Sequence, residues 1–154
     1  MIKYFDDENL IVPLWQEAFG DSREDIIFFL NNCEHKKALA YFDDGKLCSM
    51  LFLVDCKVNG KNAKYIYAAC TYKSQQRKGQ MSSLLSYCER EYDLLALIPA
   101  NDGLVNYYDK RGFIGRSEIE NITFDESDDI KEYLFEGFEL SNPLLSIYKM
   151  TEEK

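Results

Sequence analysis

Apolar residues near the start of the chain recur at helical spacing. In Val12-Pro13-Leu14-Trp15-Gln16-Glu17-Ala18-Phe19, positions Leu14, Trp15, Ala18 and Phe19 share one face, Pro13 suits a first turn and Gly20 suits an end. A short first helix is predicted there. Asp21 and Ser22 are candidate caps for a second helix, in which Ile26 to Leu30 are all apolar, so burial on more than one side is expected. From Ala38 the pattern changes. Ala38–Phe42, the turn Asp43-Asp44-Gly45 and the long run Leu47–Val58 read as a hairpin. Asn59-Gly60 marks another tight turn, and Ala63–Thr71 reads as the third strand of an antiparallel meander. Gly79–Tyr92 returns to helical spacing at Met81, Leu84, Leu85 and Cys88, and Leu94–Pro99 is a continuous apolar strand. Strand, helix and buried strand in succession predict one parallel crossover inside a mixed sheet. Asp102 is a candidate cap for a short helix that runs to Lys110 and ends at Gly112. Gly115–Phe124 and Leu144–Met150 are expected closing strands, with a helix or irregular segment near Ile130–Phe135. There is no internal repeat, low-complexity tract or linker, so a single α/β domain over residues 1–154 is the reading.

Composition narrows the partners. The chain is 46% hydrophobic with three prolines, a globular composition. Eighteen Lys plus Arg against 27 Asp plus Glu leave a charge of −9, a field that repels the phosphate backbone and disfavours nucleic acid. The same field draws cations, which suits an amine substrate. Cys33, Cys48, Cys56, Cys70 and Cys88 form no C-x-x-C pair and are odd in number, so they read as reduced thiols in a cytoplasmic protein. The amino terminus lacks a long apolar stretch, and no uncharged apolar run of about 20 residues occurs, so no membrane partner is expected. Neither the lone His35 nor the scattered cysteines suggest a metal site.

The segment with most chemistry in it is Thr71-Tyr72-Lys73-Ser74-Gln75-Gln76-Arg77-Lys78-Gly79-Gln80-Met81, a polar loop between a strand and a helix. Backbone N–H groups at a helix start have no intrahelical partner and can bind a diphosphate. Gly79 allows close approach, and Arg77 and Lys78 add charge. On its own such a loop is weak evidence, because many strand-to-helix loops contain glycine and lysine.

A second motif follows at Asn101 and Tyr107-Tyr108-Asp109-Lys110-Arg111-Gly112-Phe113. Together the two resemble the GNAT superfamily of N-acetyltransferases, whose acetyl-CoA loop reads Gln/Arg-x-x-Gly-x-Gly/Ala and whose second signature is an Asn, a short helix and an aromatic residue before Tyr-Glu-Lys-x-Gly-Phe. Gln76, Gly79 and Met81 occupy the three loop positions. Met81 replaces the usual small residue, and Gly79-Gln80-Met81-Ser82 is similar to a variant in the enhanced-intracellular-survival type of acetyltransferase. Lys73 and Gln75 replace a frequent proline and aromatic residue, and Asp109 stands for glutamate. The likeness covers most of the chain from Leu14 onward.

The resemblance implies a GNAT-like fold and transfer of an acetyl group from acetyl-CoA to a primary amine by direct attack in a ternary complex. It implies that the fourth strand parts from the fifth at a bulge, and that the strand amides of Ala69, Cys70 and Thr71 bind the pantetheine arm and polarise the acetyl oxygen. Gln76, Arg77, Lys78, Gly79, Gln80 and Met81 then hold the diphosphate, and Asn101 either bonds the pantetheine or stabilises the bend before its helix. Tyr108 matches the general acid that protonates the departing sulfur. Tyr107 is expected in the core. No general base is evident. Tyr65 and Tyr67 share a strand face and either line the acceptor pocket or pack outward, and Asp55 reads as a solvated strand charge. A covalent relay through Cys70 needs a base partner and is the lesser reading, with Cys70 as a buried residue preferred. The alternatives to an acetyltransferase are a non-catalytic acyl-CoA-binding module and a transferase of another acyl group. The expected partner is a small-molecule or peptidic amine, and a homodimer is compatible with this.

Overall fold

The computed structural model describes residues 1–149. Along the chain come β1 (Ile2–Phe5), α1 (Glu8–Phe19), α2 (Arg23–Asn32), β2 (Lys36–Asp43), β3 (Lys46–Val58), β4 (Lys61–Thr71), α3 (Gln80–Glu91), β5 (Leu95–Leu97), α4 (Asp102–Lys110), β6 (Gly115–Glu118), β7 (Ile122–Phe124), α5 (Asp128–Leu134) and β8 (Leu144–Tyr148). Asp44-Gly45 and Asn59-Gly60 adopt φ of 55° and 78°, and 52° and 82°, the left-handed pairs that two-residue hairpins need. They fold β2, β3 and β4 into the expected meander. The sheet order is β1-β2-β3-β4-β5-β8-β6, with β7 paired to the end of β3 that extends past β2. β4 and β5 are parallel and joined by α3, and every other named pair is antiparallel.

β3 is buried almost from end to end because both faces of the sheet are covered. Its Met50, Phe52, Val54 and Cys56 meet Trp15, Ile26 and Phe29 of α1 and α2 in one core layer. Leu51 and Leu53 meet Leu84, Leu85 and Cys88 of α3 and Phe113 in the other. No helix among the described residues is long and apolar enough to cross a membrane.

Several boundaries differ from the sequence reading. β1 was not expected; it pairs with β2 through Ile2↔Tyr41 to Phe5↔Ala38. Asp7 caps α1, accepting from the Asn9 N–H at 2.9 Å, so Pro13 lies inside the helix rather than in its first turn. Only Ile26 and Phe29 of α2 are fully buried, and Phe28 stays 37% exposed, stacked on Tyr133, so that helix is not buried on several sides. Asn101, not Asp102, caps α4. The expected strand Gly115–Phe124 is two strands, because Gly115–Glu118 pair with β8 while Ile122–Phe124 pair with the end of β3 that outlasts β2. The last expected strand covers Leu144–Tyr148, and Met150 lies outside the described residues.

All five cysteines are free and buried. Burial pushes the thiols of Cys33, Cys56, Cys70 and Cys88 from 9.0 to about 12. Folded-state values above the unfolded one mean stability that is complete below pH 9 and lost as pH rises towards 12, since unfolding then releases protons. Each thiol adds to the fall in stability across that window. We therefore expect cooperative unfolding between about pH 9 and pH 12, read by Trp15 fluorescence and circular dichroism under reducing conditions. Cys70→Ala and Cys88→Ala should move the midpoint upward, and a chain still folded above pH 12 would contradict the expectation.

Candidate functional site

β4 pairs with β5 only at Lys64↔Leu95 and Tyr65↔Ala96. Beyond that point β4 carries one extra residue against β3: the register passes from Phe52↔Tyr67 to Met50↔Cys70, and Ala68 adopts φ 55°. Such a bulge bends and twists its strand. A cleft of about 530 Å³ opens between the parted strands, lined by Tyr65 to Ala69 on one side and by Leu97, Ile98, Leu104 and Tyr108 on another. Tyr72 donates its N–H to the Cys48 carbonyl at 3.0 Å. Antiparallel alternation therefore turns the Cys70 amide towards Met50 and the Thr71 amide towards the open side.

α3 starts unlike the other helices. α1, α2, α4 and α5 are each capped by a side chain (Asp7, Ser22, Asn101 and Ser127) and carry an acid in the first turn. α3 begins at Gly79, at φ 76°, with no side-chain cap and no acid. The first helical bond runs from the Ser83 N–H to the Gly79 carbonyl at 3.0 Å, which leaves the amides of Gln80, Met81 and Ser82 without an intrahelical partner. A Cβ placed on Gly79 meets nothing within 4 Å, so the space beside the start of the helix is open.

Arg77 and Lys78 are exposed beside them, Arg77 at φ 67°. Gln76 donates from Nε2 to the Thr71 carbonyl at 3.4 Å. The Gln80 side chain turns inward: it is buried, donates to Gln75 at 3.3 Å and accepts from Ser49, whose hydroxyl also bonds Thr71 at 2.7 Å. Met81 packs on the core beside Leu84. Their side chains fasten the loop to the sheet and their amides remain for a ligand. Nothing in the linear pattern marked this Ser49–Gln80 contact, which joins residues 31 positions apart.

At the other wall, Asn101 accepts from the Leu104 N–H at 3.1 Å, and so holds the turn into α4. Tyr108 on α4 is 9% exposed and its ring meets Tyr107 and Phe113 edge-on at 5.1 and 5.5 Å. Its hydroxyl has no hydrogen-bond partner among the described residues and borders the cleft. Burial, with a smaller push from Tyr107, raises the phenol to about 12, against a lowering by Arg111. Tyr107 is half-buried against the same layer.

Tyr65 and Tyr67 both line the cleft, and Tyr65 donates its hydroxyl to the Leu134 carbonyl at 2.7 Å. Asp55 pairs with Lys64 and His35 with Asp125, so neither contributes to the cleft. Three carboxylates that the sequence reading did not assign to a site do line it: Asp21, Asp25 and Glu136. Asp21 is not the helix cap; it accepts from Trp15 Nε1 at 2.8 Å, while Ser22 takes the Asp25 N–H.

A family model described as an acetyltransferase (GNAT) domain matches residues 5–114, which include both motifs and both walls of the strand gap. The chain belongs to the GNAT acetyltransferase family. No curated protein matches it. Among solved structures, this GNAT chain is similar to a Lactobacillus plantarum protein assigned as an N-acetyltransferase, with TM-score 0.62 and 13% identity over 98% of each chain. It is similar to aminoglycoside 6′-acetyltransferase type Ii, with TM-score 0.58 and 16% identity over 100% of this chain and 99% of that one. A protein of unknown function from Enterococcus faecalis V583, assigned as an N-acyltransferase, matches 70% of this chain with TM-score 0.54 and 18% identity. The GNAT chain spans only 31% of that protein's length. Identities this low speak for the fold.

Proposed function

We propose that the chain moves an acetyl group from acetyl-CoA to a primary amine by direct attack, with both substrates bound together. The observation that carries this reading is the start of α3: three unpartnered amides, no side-chain cap, no acid and an open glycine, beside the parted edge of β4. Those features suit a diphosphate. Acetyl-CoA, when bound, supplies that diphosphate and a thioester as acyl donor.

In this reading the amides of Gln80 and Met81, with Gly79 before them, hold the phosphates, and Gln76, Arg77 and Lys78 border them with polar and positive groups. The free edge of β4 at Ala69 and Thr71 offers N–H donors to the pantetheine arm and the acyl oxygen; Cys70 contributes less, since its amide faces Met50. Asn101 holds the turn that brings α4 to the cleft. Tyr108 keeps a proton at its hydroxyl oxygen at neutral pH and gives it to the departing sulfur. Direct attack is favoured over a Cys70 relay because burial and Glu17 hold that thiol at about 12, far from the low value a nucleophilic cysteine needs.

The test is to incubate the protein with acetyl-CoA and a panel of primary amines, reading free thiol and acetylated product by mass spectrometry. Thiol release that depends on both substrates is the expected result. CoA binding with no transfer to any amine would overturn the transferase reading and leave a binding module.

A further inference from the structure

The cleft passes through the gap in the sheet and differs at its two ends. Tyr108 belongs to the core layer of α3 and α4, whereas Trp15 and the carboxylate-bearing segments belong to the layer of α1, α2 and α5. Between them lie the bulged strand and the rings of Tyr65 and Tyr67, stacked at 6.4 Å, with Trp15 at 5.9 Å from Tyr67. Asp21 comes from the α1–α2 turn, Asp25 from the first turn of α2 and Glu136 from the segment after α5. No Lys or Arg lines the cleft and none pairs with these three among the described residues.

The charge sits at one end of the cleft and an unpartnered hydroxyl at the other. After burial, Asp21 and Glu136 are the next causes raising the Tyr67 hydroxyl, and Asp25, Glu136 and Asp21 act likewise on Tyr133. Tyr67 and Tyr133 lie in the α1–α2–α5 layer and Tyr108 in the α3–α4 layer, so the acidic end stands apart from the Tyr108 hydroxyl, whose side chain is more than nine-tenths buried and which, unpartnered among the described residues, opens to the same cleft.

An amine held as an ammonium by carboxylates is not a nucleophile, so a single nitrogen does not satisfy both ends at once. We propose that the acceptor is a small aliphatic diamine or polyamine, bound with a neutral terminal nitrogen at the Tyr108 end and a second, protonated nitrogen among Asp21, Asp25 and Glu136. This rests on the acetyl-transfer reading above. The alkyl spacer lies along the Tyr65 and Tyr67 rings, and the ring faces add cation–π attraction for the charged end. A cleft of about 530 Å³ lies in the lower half of the ~300–1,000 Å³ of sites that enclose a drug-sized ligand, and the thioester arm must share it. A slim chain fits that space better than a polyhydroxylated multi-ring polycation. In the step, the neutral nitrogen bonds the acyl carbon and the carbon–sulfur bond breaks. The nitrogen gives one proton to water, and the sulfur takes one from Tyr108, which regains it from solvent.

The experiment compares cadaverine with pentylamine, which share a chain length and differ by one nitrogen, and includes kanamycin. Binding to the CoA-loaded protein is measured by calorimetry and transfer by kcat/KM. Cadaverine is expected to exceed pentylamine by roughly tenfold or more in both, the scale of hydrogen bonds to charged groups. Asp25→Asn and Glu136→Gln are exposed changes that should raise KM for cadaverine, hold kcat and bring the two amines' ratio towards one. Pentylamine equal to cadaverine, or kanamycin preferred to both, overturns the proposal while acetyl transfer stands. Selective cadaverine binding without transfer to any amine supports the acceptor site and overturns the transfer reading.

Discussion

Tyr108→Phe is expected to lower kcat by about 10²–10⁴-fold, the usual contribution of a positioned proton donor, while leaving CoA affinity and the melting temperature close to those of the parent. The structural reason for the unchanged fold is specific. The ring contacts with Tyr107 and Phe113 survive in phenylalanine, and the hydroxyl makes no hydrogen bond within the described chain that its removal would break. The phenol, raised to about 12, stays protonated through neutral and mildly alkaline pH, so the defect should be constant below about pH 9, where the chain is folded. The check is kcat at saturating acetyl-CoA and amine, with melts alongside. Equal kcat in the two proteins, with chemistry limiting the rate, would assign Tyr108 to packing alone.

Gly79→Glu should weaken CoA binding by roughly 10–100-fold, since it exchanges an attraction of up to ~2 kcal/mol at a helix N-terminus for a repulsion. The added carboxylate would also reach the free amides of Gln80, Met81 and Ser82 itself, which supports the helix while blocking its use by a diphosphate. Nothing stands within 4 Å of the new Cβ, so the cost to folding is the left-handed φ of 76° alone. Gly79→Ala carries that backbone cost without the charge and is the control. It should retain most CoA affinity by calorimetry. If the two variants bind CoA equally well, the start of α3 is not the phosphate site.

The features legible from the sequence are those with a local physical cause. Asp44-Gly45 and Asn59-Gly60 are turns because those residues reach positive φ cheaply, and their spacing alone yields the meander. The apolar run of β3 announces a strand covered on both faces. Gly79 before a helix, followed by Asn101 and the Tyr107–Phe113 signature, was enough to indicate the GNAT family that the domain match shows.

Tertiary structure decided the rest, because it depends on which distant segments meet. Asp21 beside Ser22 looks like one of two interchangeable caps until Trp15 claims its carboxylate. Gly115–Phe124 has a continuous strand pattern, yet it splits because β8 is available to its first half and the uncovered end of β3 to its second. The bulge at Ala68 leaves no mark in a run of Tyr and Ala; it exists where β4 must keep pairing with β3 after leaving β5. The acidic end of the cleft joins Asp21 and Asp25 to Glu136, more than a hundred positions further along the chain, and each reads singly as a surface charge. Turn and helix signals are written within a few residues because backbone sterics and capping act over that distance, whereas a binding cleft is a property of surfaces that only packing brings together.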